Sequence, residues 1–357
     1  MVINHLSLKS FRNYKDFEIG FHPNINYIYG NNGQGKTNLI ESLYFLTHLR
    51  SFRTNILKNL NQYSHKDSYI HAGLKKNETD HLIQIGIYQN FKKVLLDNKN
   101  IHFTSEFIKD FFSILFSPDL LASFKESPTD RRLFFDRVLL MTEPGYFNKY
   151  HEFNKIKKNK NELLKKGKKK ELKVWNRLLA EVIPVITRDR KNIVLQINEF
   201  ISQIFLELTG SQRNLMLVYS DDLEGKAVSE KDELIDFFDN KADHEIAKGF
   251  SFYGPHKDRY WMTLDGKLDK ENFSQGEYRI SFLALQFSIN RVLKKKIDYQ
   301  PVLLMDDLFS ELDENVYQKT LNYIYENQNQ VFITSTLKPN ISSFYGQAFH
   351  INDGQLI

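Results

Sequence analysis

One glycine-rich loop constrains this sequence more than any other stretch, because it fits the pattern G-x-x-x-x-G-K-[ST]. The loop consists of Gly30, Asn31, Asn32, Gly33, Gln34, Gly35, Lys36 and Thr37. An apolar run at residues 25–29 predicts a buried strand before it, and residues 37–46 have the pattern of a helix after it. Glycines let backbone N–H groups approach a phosphate without a Cβ clash, and the helix N-terminus adds partial positive charge. The context favours a phosphate-binding loop over a glycine turn without a ligand.

Two signals predict how a nucleotide and its metal ion would be held. Lys36 is expected to reach the β- and γ-phosphates, and the hydroxyl of Thr37 is expected to bind Mg²⁺. At residues 301–307 an apolar run ends in the carboxylates of Asp306 and Asp307. In P-loop NTPases such a strand lies beside the P-loop strand, and its first acid holds Mg²⁺. We therefore predict that Asp306 is a Mg²⁺ ligand; the alternative is that both acids cap a turn or a helix.

Several polar residues outside the loop have both a functional and a structural interpretation. Arg12, Arg50 and Arg53 either reach phosphates or are solvated surface side chains, and the sequence does not decide between the two. Ser274, with a glutamate three residues later, predicts a capping box at the start of a long amphipathic helix. His256 lies in a predicted tight turn, where a lone histidine is more often structural than a ligand.

The rest of the chain predicts a mixed α/β fold with an inserted helical arm. Strands are predicted at residues 3–8, 17–21, 25–29, 69–74, 81–88, 91–96, 214–219, 260–264 and 330–334. Those between residues 69 and 96 are expected to be antiparallel, which is unlike a simple parallel kinase-like domain. From residue 105 the pattern turns helical, and residues 146–208 are almost continuously helical, with interruptions near Gly167 and Pro184.

A lysine-rich run lies in the middle of the predicted arm, at residues 165–170. A solvated loop between two helices is the favoured interpretation, and a patch that follows nucleic-acid phosphates is the alternative. No aromatic residue interleaves with these lysines, so base stacking is not indicated there.

Composition narrows the class of protein. The 357 residues include no cysteine, which excludes disulfides and thiolate metal sites. No apolar run reaches the roughly 18 residues typical of a membrane span. The N-terminus lacks the apolar core of a signal peptide, so we expect a cytoplasmic protein without a membrane segment. The formal net charge of +5 is only a weak indicator of an acidic partner such as nucleic acid.

The order of these signals resembles that of ABC-type ATPase heads, and nearly the whole chain resembles the RecF family of bacterial recombination-mediator ATPases, which are related to SMC-type heads. The segments that carry the resemblance are the P-loop and residues 11–14 (Phe-Arg-Asn-Tyr), 50–53 (Arg-Ser-Phe-Arg), 116–120 (Phe-Ser-Pro-Asp-Leu), 127–132 (Ser-Pro-x-x-Arg-Arg), 254–258 (Gly-Pro-His-Lys-Asp) and 306–313 (Asp-Asp-x-x-Ser-Glu-Leu-Asp). The resemblance implies an α/β fold with mixed parallel and antiparallel sheets. It places an ABC-type P-loop ATPase head at residues 1–112 plus 209–357 and an inserted helical arm at residues 113–208.

The resemblance also implies a working site. ATP would bind at residues 30–37, with Arg12 among the nucleotide-binding residues and Mg²⁺ at Thr37 and Asp306. Two monomers would close head to tail around two ATP molecules, so that Ser274 and Gly276 of one monomer face the γ-phosphate held by the other. Lys36 and Asp307 would be the catalytic residues.

Asp307 stands where most ABC-type heads carry a glutamate general base. Its carboxylate is one carbon shorter and aligns a water molecule less readily, so we expect slow hydrolysis that times the dimer.

The function implied by the resemblance is ATP-dependent DNA binding in replication, recombinational repair and the SOS response. The dimer would bind single-stranded and gapped DNA without sequence preference and would help RecO and RecR load RecA there. Lys and Arg contacts to phosphates would make this binding sensitive to salt. DNA would stimulate an ATPase activity that is weak at most.

The sequence departs from the family pattern at several positions. Arg259 follows Asp258 where relatives usually carry a second acid, and Glu126 precedes Ser-Pro where relatives often have glycine. The helix at residue 274 begins Ser-Gln-Gly-Glu rather than Ser-Gly-Gly. We identify neither a switch histidine after the last strand nor the glutamine that senses Mg²⁺ in ABC heads. These departures bear on the hydrolysis rate rather than on the fold.

Three other functions are compatible with a P-loop. An adaptor would dimerise on ATP and bind DNA with negligible turnover. A transporter-type ATPase subunit would need a membrane partner, and such heads lack the long arm and the Gly-Pro-His segment. A nuclease-fused relative of SMC heads would need an added acidic metal-binding domain, for which we expect no room because the chain ends at Ile357.

Overall fold

The structure is a computed structural model that describes residues 1–101, 104–223, 231–307, 312–338 and 346–357. Its strands, in chain order, are β1 (Val2–Phe11), β2 (Tyr14–Gly20), β3 (Ile25–Tyr29), β4 (Ser68–Lys76), β5 (Thr79–Ile87), β6 (Lys92–Leu96), β7 (Lys99–Asn100), β8 (Ser113–Phe116), β9 (Leu215–Ser220), β10 (Arg259–Leu264), β11 (Lys267–Leu268), β12 (Val302–Met305), β13 (Val331–Ser335), β14 (Gly346–Asn352) and β15 (Gln355–Leu356).

The α-helices lie mainly in the middle of the chain. In chain order they are α1 (Lys36–His48), α2 (Thr104–Asp110), α3 (Pro118–Glu126), α4 (Pro128–Thr142), α5 (Tyr146–Lys165), α6 (Lys169–Asn198), α7 (Ile201–Thr209), α8 (Lys231–Lys248), α9 (Asp269–Asn272), α10 (Gln275–Lys296) and α11 (Glu314–Glu326). Two short 3-10 helices span Leu57–Leu60 and Pro255–Lys257. Within the described ranges, none of these helices has both the length and the apolar character needed to cross a membrane.

The chain divides into two compact units, which are described one at a time. The first unit comprises Met1–Ala122, Gln203–Gln212 and Ser274–Ile357, and the second comprises Ser123–Ser202 and Arg213–Phe273. Most of the arm expected at residues 113–208 lies in the second unit, together with strands β9 to β11. The division into a head and an arm at the bounds given above stays a prediction.

A parallel sheet forms the framework of the first unit. Its strand order is β15-β14-β3-β13-β12-β8, and all neighbours are parallel except the terminal hairpin of β14 and β15. Strands β8, β12 and β13 are buried along their whole length, which is why they are apolar runs rather than alternating patterns. The ends of these parallel strands place the functional loops on one edge of the sheet.

An antiparallel sheet with the order β2-β1-β4-β5-β6-β7 completes the first unit. In β4 the residues at 68, 70, 72 and 74 are buried and those between them face outward, as expected for a sheet with one solvated face. Helix α1 contacts β4 of this sheet and β8, β12 and β13 of the parallel sheet. It is buried on nearly all sides, so it has no polar stripe. The predicted combination of parallel and antiparallel sheets is confirmed.

The second unit packs helices α4, α5, α6 and α8 with the antiparallel sheet β11-β10-β9. Its centre holds a buried ion network around Arg190, whose guanidinium lies 2.8 Å from Asp136 and 2.7 Å from Asp258. Arg190 also donates to the carbonyl of Pro255, and Asp258 accepts from the hydroxyl of Tyr219. The Gly-Pro-His-Lys-Asp segment is therefore a packing element of this unit.

His256 belongs to the same segment. Its Nε2 lies 2.9 Å from the carbonyl of Ser251, and burial lowers the pKa of its imidazole to about 4. This neutral, half-buried ring fits the structural interpretation of a lone loop histidine.

The lysine-rich run forms the end of α5, a three-residue turn and the start of α6. Three of its lysines have carboxylate partners: Lys165 with Glu162 at 3.4 Å, Lys168 with Glu171 at 2.9 Å and Lys169 with Asp243 at 2.6 Å. All three lysines are exposed, so these pairs contribute little to stability. The arrangement fits the favoured interpretation, a solvated loop between two helices.

The structure differs from the sequence expectations in two places. Residues 113–116 form strand β8, whereas we expected a helix, because a short apolar run has no period that separates the two. Pro184 lies inside the continuous helix α6 and does not interrupt it. After β12, the Ser-Glu-Leu-Asp segment at residues 310–313 predicts the start of a helix: Ser310 and Glu311 lie outside the described residues, and Asp313 caps α11 by accepting from the backbone of Val316 at 3.0 Å.

Candidate nucleotide-binding site

A cleft of about 410 Å³ opens at the carboxyl ends of the parallel strands. This is the edge at which open α/β sheets bind ligands, since the loops after neighbouring strands meet there. Loops after β3, β8 and β12 and the end of β13 all contribute to it. The lining residues are Asn32, Gly33, Gly35, Lys36, Thr37, Asn38, Arg53, Pro118, Asp119, Asp306, Asp307 and Thr334.

The glycine-rich loop runs from the end of β3 to the start of α1, as predicted. Gly30 has φ +152° and an added Cβ would collide with the carbonyl oxygen of Ile351. Gly35 has φ +113° and an added Cβ would lie 2.6 Å from Nδ2 of Asn13. Both positions therefore require glycine for conformation and for space.

Two segments that are distant in the sequence form hydrogen bonds with the glycine-rich loop. The hydroxyl of Tyr14 donates to the carbonyl of Gly35 at 3.0 Å, and Nδ2 of Asn13 donates to the carbonyl of Gln34 at 3.1 Å. The backbone of Gly354 donates to the same Gln34 carbonyl at 3.0 Å, and the backbone of Asp353 donates to Oε1 of Gln34 at 2.6 Å. The Phe-Arg-Asn-Tyr segment and the terminal hairpin thus fix the loop geometry.

Lys36 lies on the floor of the cleft. Its Nζ donates to the carbonyls of Gly30 at 2.7 Å and Asn31 at 2.8 Å, both in its own loop. Burial lowers the pKa of its ammonium group, and the charges of Asp307 and Asp306 partly oppose this. A phosphate is a stronger partner for an ammonium group than a neutral carbonyl is, so the lysine is placed to exchange one for the other.

Thr37, Asp306 and Thr334 form a compact set of oxygen atoms. Oδ1 of Asp306 accepts from the hydroxyl of Thr37 at 3.1 Å and from the hydroxyl of Thr334 at 2.8 Å. Burial raises the pKa of Asp306 to about 6, and the nearby charge of Asp307 adds to this. A hydroxyl and a carboxylate that already face each other suit Mg²⁺, which prefers oxygen ligands and takes only one or two carboxylates beside phosphates.

Asp307 points into the same cleft from the turn after β12. It has φ +48°, an uncommon conformation for a residue other than glycine, and its backbone N–H donates to the hydroxyl of Thr334 at 2.8 Å. Such backbone conformations cluster at functional sites. Its assignment as general base stays a prediction.

The three candidate phosphate arginines have different environments. Arg53 lines the cleft, donates to Oδ1 of Asn38 at 3.0 Å and lies 3.6 Å from Asp119. Arg12 makes a two-pronged contact with the buried carboxylate of Glu41, at 2.8 and 2.7 Å. Neither Arg12 nor Arg50 is among the cleft-lining residues in the described part of the chain. The role of Arg12 in nucleotide binding therefore stays a prediction; its partner Glu41 also lies 3.6 Å from the cleft-lining Arg53.

Ser274 and Gly276 lie at the exposed start of α10 and are not brought to this cleft in the described part of the chain. The predicted capping box is present: Glu277 N donates to Oγ of Ser274 at 3.1 Å, and Ser274 N donates to the Glu277 carboxylate at 2.8 Å. An added Cβ on Gly276 would meet open space. Their contact with a nucleotide held by a second molecule stays a prediction.

Sequence reasoning missed part of this site. The loop contacts of Asp353 and Gly354 and the pairing of Arg12 with Glu41 had no local signal, because each depends on how distant segments pack.

Known proteins are similar to this chain over nearly its whole length. The family model described as RecF/RecN/SMC N terminal domain matches residues 2–352. A protein named DNA replication and repair protein RecF from Alkaliphilus oremlandii is 31% identical, and the match covers 100% of both chains. A protein of the same name from Clostridium kluyveri is 34% identical, over 94% of this chain and 93% of the relative.

Solved structures match over the same extent. A structure of the recombination mediator protein RecF with ATP matches with a TM-score of 0.89 at 27% identity, covering 100% of this chain and 97% of the other. An Smc head bound to the C-winged helix domain of ScpA matches with a TM-score of 0.59 at 17% identity, covering 100% and 98%. Because its sequence identity is only 17%, the Smc head match supports the fold alone. The predicted fold class, an ABC-type P-loop ATPase head, is confirmed.

Proposed function

The chain belongs to the RecF/RecN/SMC N-terminal domain family, and from this we propose that it is an ATP-dependent DNA-binding protein of DNA replication and recombinational repair. The observation that carries the proposal is the cleft in which the P-loop, Asp306, Asp307 and Arg53 converge. The relatives named above are described as replication and repair proteins, and a related solved structure contains ATP.

ATP would lie with its phosphates on the backbone N–H groups of the glycine-rich loop and at the N-terminus of α1. Lys36 would leave the carbonyls of Gly30 and Asn31 and bind the phosphate oxygens instead. Arg53, which already lines the cleft, would add a second cation on the side of Asp119.

Thr37 and Asp306 would hold Mg²⁺ through the two oxygens that now share a hydrogen bond. When bound, the ion would neutralise charge on the phosphates. Thr334 would keep Asp306 in place, because its hydroxyl donates to the same carboxylate from the neighbouring strand. Such an outer partner orients a metal ligand.

Turnover would be slow. Asp307 is the candidate general base, and its carboxylate is held on a backbone turn whose N–H is bound to Thr334. A shorter side chain than glutamate reaches a water molecule less readily, so the base contributes less than an optimally placed one. The rate of ATP hydrolysis would set how long the ATP-bound dimer persists. The alternative is an adaptor with negligible turnover.

ATP would also bring two copies together. The start of α10, where Ser274 and Gly276 are exposed, is a helix N-terminus, and helix N-termini favour anions such as a phosphate. In a head-to-tail dimer this helix end would face the γ-phosphate held by the other copy. The dimer would bind single-stranded and gapped DNA and help RecO and RecR load RecA. A cytoplasmic location is part of the same proposal.

The first experiment is the molecular mass in solution with and without ATP and Mg²⁺, together with gapped-DNA binding in both states. We expect a shift from monomer to dimer that also tightens DNA binding. A monomer that binds DNA equally in both states would refute the link between the P-loop and DNA.

Two variants separate nucleotide binding from turnover. Lys36→Met should abolish ATP binding and dimerisation, because it removes the only charge that the loop itself supplies to the phosphates. Asp307→Asn should still dimerise but stop hydrolysis, measured as phosphate release. An unchanged turnover rate in Asp307→Asn would show that the base is a different group.

A further inference from the structure

Three aromatic side chains meet on the outer face of the antiparallel sheet of the first unit. Tyr69 lies on β4, while Tyr88 and Phe91 flank the turn between β5 and β6. The buried residues of β4 alternate with Tyr69, so its ring stands on the solvated face. Phe91 is 60% exposed although it is strongly apolar. We call Tyr69, Tyr88 and Phe91 the aromatic cluster.

Ring contacts and a backbone hydrogen bond hold the aromatic cluster in a defined arrangement. The rings of Tyr88 and Phe91 stack with centroids 4.5 Å apart and planes 17° apart, and Tyr69 meets Tyr88 edge-on at 6.4 Å. The backbone N–H of Tyr88 donates to the carbonyl of Phe91 at 2.9 Å, which closes the turn. Phe91 thus forms the outer layer of a stack whose inner ring is already positioned.

The neighbouring positions keep this face open. Gly86 lies under Tyr88, since an added Cβ there would be 3.1 Å from the ring. The hydroxyl of Tyr69 donates to Asp67 at 2.9 Å, which fixes the orientation of the ring. A ring held in one orientation loses little rotational freedom when a flat ligand stacks on it.

Lysines flank the cluster on both sides. Strand pairing sets Lys9 opposite Tyr69, Tyr69 opposite Gly86, and Gly86 opposite Lys93, so these four positions form one row across the sheet. Lys9 and Lys93 are exposed. Asp16, which pairs with Lys9, is the acid at the far end of this row, so the cationic side is the one nearer β6.

We propose that the aromatic cluster and its flanking lysines bind single-stranded nucleic acid, with an unpaired base stacked on Phe91 and phosphates near Lys93 and Lys9. This deepens the proposed DNA-binding function and rests on it. Aromatic side chains beside a basic track are the general solution for binding single strands without sequence preference. Paired bases in a duplex have no free face to stack, so this surface favours a gap over intact duplex.

The test compares, with ATP and Mg²⁺ present, binding of a fluorescent oligothymidylate and of a duplex of equal length by wild-type protein and by Phe91→Ala. Loss of one stacking contact should weaken single-strand binding roughly five- to a hundredfold and leave duplex binding within about twofold. Phe91→Trp should restore single-strand binding, because it returns a larger ring to the same place. Thermal unfolding confirms that each variant is folded.

A matched control and a charge variant sharpen the result. Tyr325 is 61% exposed and belongs to α11, outside the aromatic cluster and its row of lysines, so Tyr325→Ala should bind single strands like wild type. Lys93→Gln should reduce the slope of log affinity against log salt by about one unit, while Phe91→Ala should leave the slope unchanged.

Different results would overturn the proposed DNA-binding function and the assignment of the aromatic cluster. Wild-type protein that binds neither oligonucleotide would overturn the proposed function and this inference together. If the wild-type protein binds and Phe91→Ala keeps full affinity for the single strand, this inference alone is overturned. The same holds if Phe91→Ala loses affinity equally for single strand and duplex.

Discussion

Asp306 is the residue whose protonation ties the stability of the protein to its function. Burial raises its pKa to about 6 from the ordinary value of 3.8, a difference that corresponds to about 3 kcal/mol. At a pH between about 4 and about 6, the Asp306 carboxyl is more often protonated in the folded state than in the unfolded state. The contribution of Asp306 to stability therefore falls as pH rises from about 4 to about 6, and it stays unfavourable above that.

Asp306→Asn should make the protein without ligand more stable by about 1–3 kcal/mol at pH 8, because it removes a buried charge and keeps the oxygen that accepts from Thr37 and Thr334. The gain should shrink as the pH is lowered towards 4, where the wild-type carboxyl is neutral. Denaturant unfolding at pH 4.5, 6 and 8 measures it. Binding of ATP with Mg²⁺ should be lost in the same variant.

A gain that is equal at all three pH values would show that Asp306 is already neutral or solvated in the folded protein. Unchanged Mg²⁺-dependent ATP binding would remove Asp306 from the metal site. The conservative comparison is Thr334→Val, which removes the supporting hydroxyl but leaves the carboxylate.

At this scale, the sequence predicts residues whose roles are local in the chain. Lys36 and Thr37 follow from the spacing within one loop, and Asp306 follows from its place at the end of an apolar strand. The pairing of Arg12 with Glu41 does not follow, because it joins the turn after β1 to helix α1, 29 positions later in the chain. The same holds for Gly354, whose contact with Gln34 joins segments 320 positions apart.

Helix α10 and strand β8 show when the sequence alone predicts a helix or a strand correctly. The start of α10 was predictable because the capping box is a local pattern with its own hydrogen bonds. Strand β8 was not, because its four residues are buried and apolar in either secondary structure, and only its pairing with β12 selects a strand. Pro184 lies inside the 30-residue helix α6 although proline usually kinks or breaks a helix, so the local signal for an interruption is wrong there.

Gly276→Ala tests the start of α10. The position is helical and an added Cβ meets open space, so thermal stability should be unchanged or rise by up to about 1 kcal/mol. If the helix end approaches the γ-phosphate of a second copy, the methyl group should weaken ATP-dependent dimerisation at least severalfold. Mass photometry with ATP and Mg²⁺ measures it, and ATP binding to the monomer is the control.

Full dimerisation by Gly276→Ala would mean that this helix end does not face a nucleotide. Ser274→Ala is the informative companion, because it should cost about 1 kcal/mol of stability through loss of the cap.

At the scale of the whole molecule, ATP binding and self-association should be linked. ATP with Mg²⁺ should raise the melting temperature, and the increase should grow with protein concentration because the folded dimer is favoured by mass action. ADP should give an increase that does not depend on protein concentration. Differential scanning fluorimetry over a hundredfold range of protein concentration measures both.

An ATP effect that is the same at every protein concentration would show that the nucleotide stabilises a monomer only. Lys36→Met is the control, since it should show no effect of ATP at any concentration.

The nucleotide site also has an order of assembly. Strand β3, which leads into Gly30, pairs with β13 and β14, and Ile25 lies opposite Val331 and Gly346. A ribosome adding roughly 5–20 residues per second makes β3 some ~15–60 s before either of these neighbours. We therefore expect ATP to bind only after β13 and β14 have emerged, since the strand that leads into its binding loop has no partners before that. A nascent chain stopped before residue 331 should carry every residue of the P-loop and yet bind no nucleotide, which a filter-binding measurement on stalled ribosomes checks.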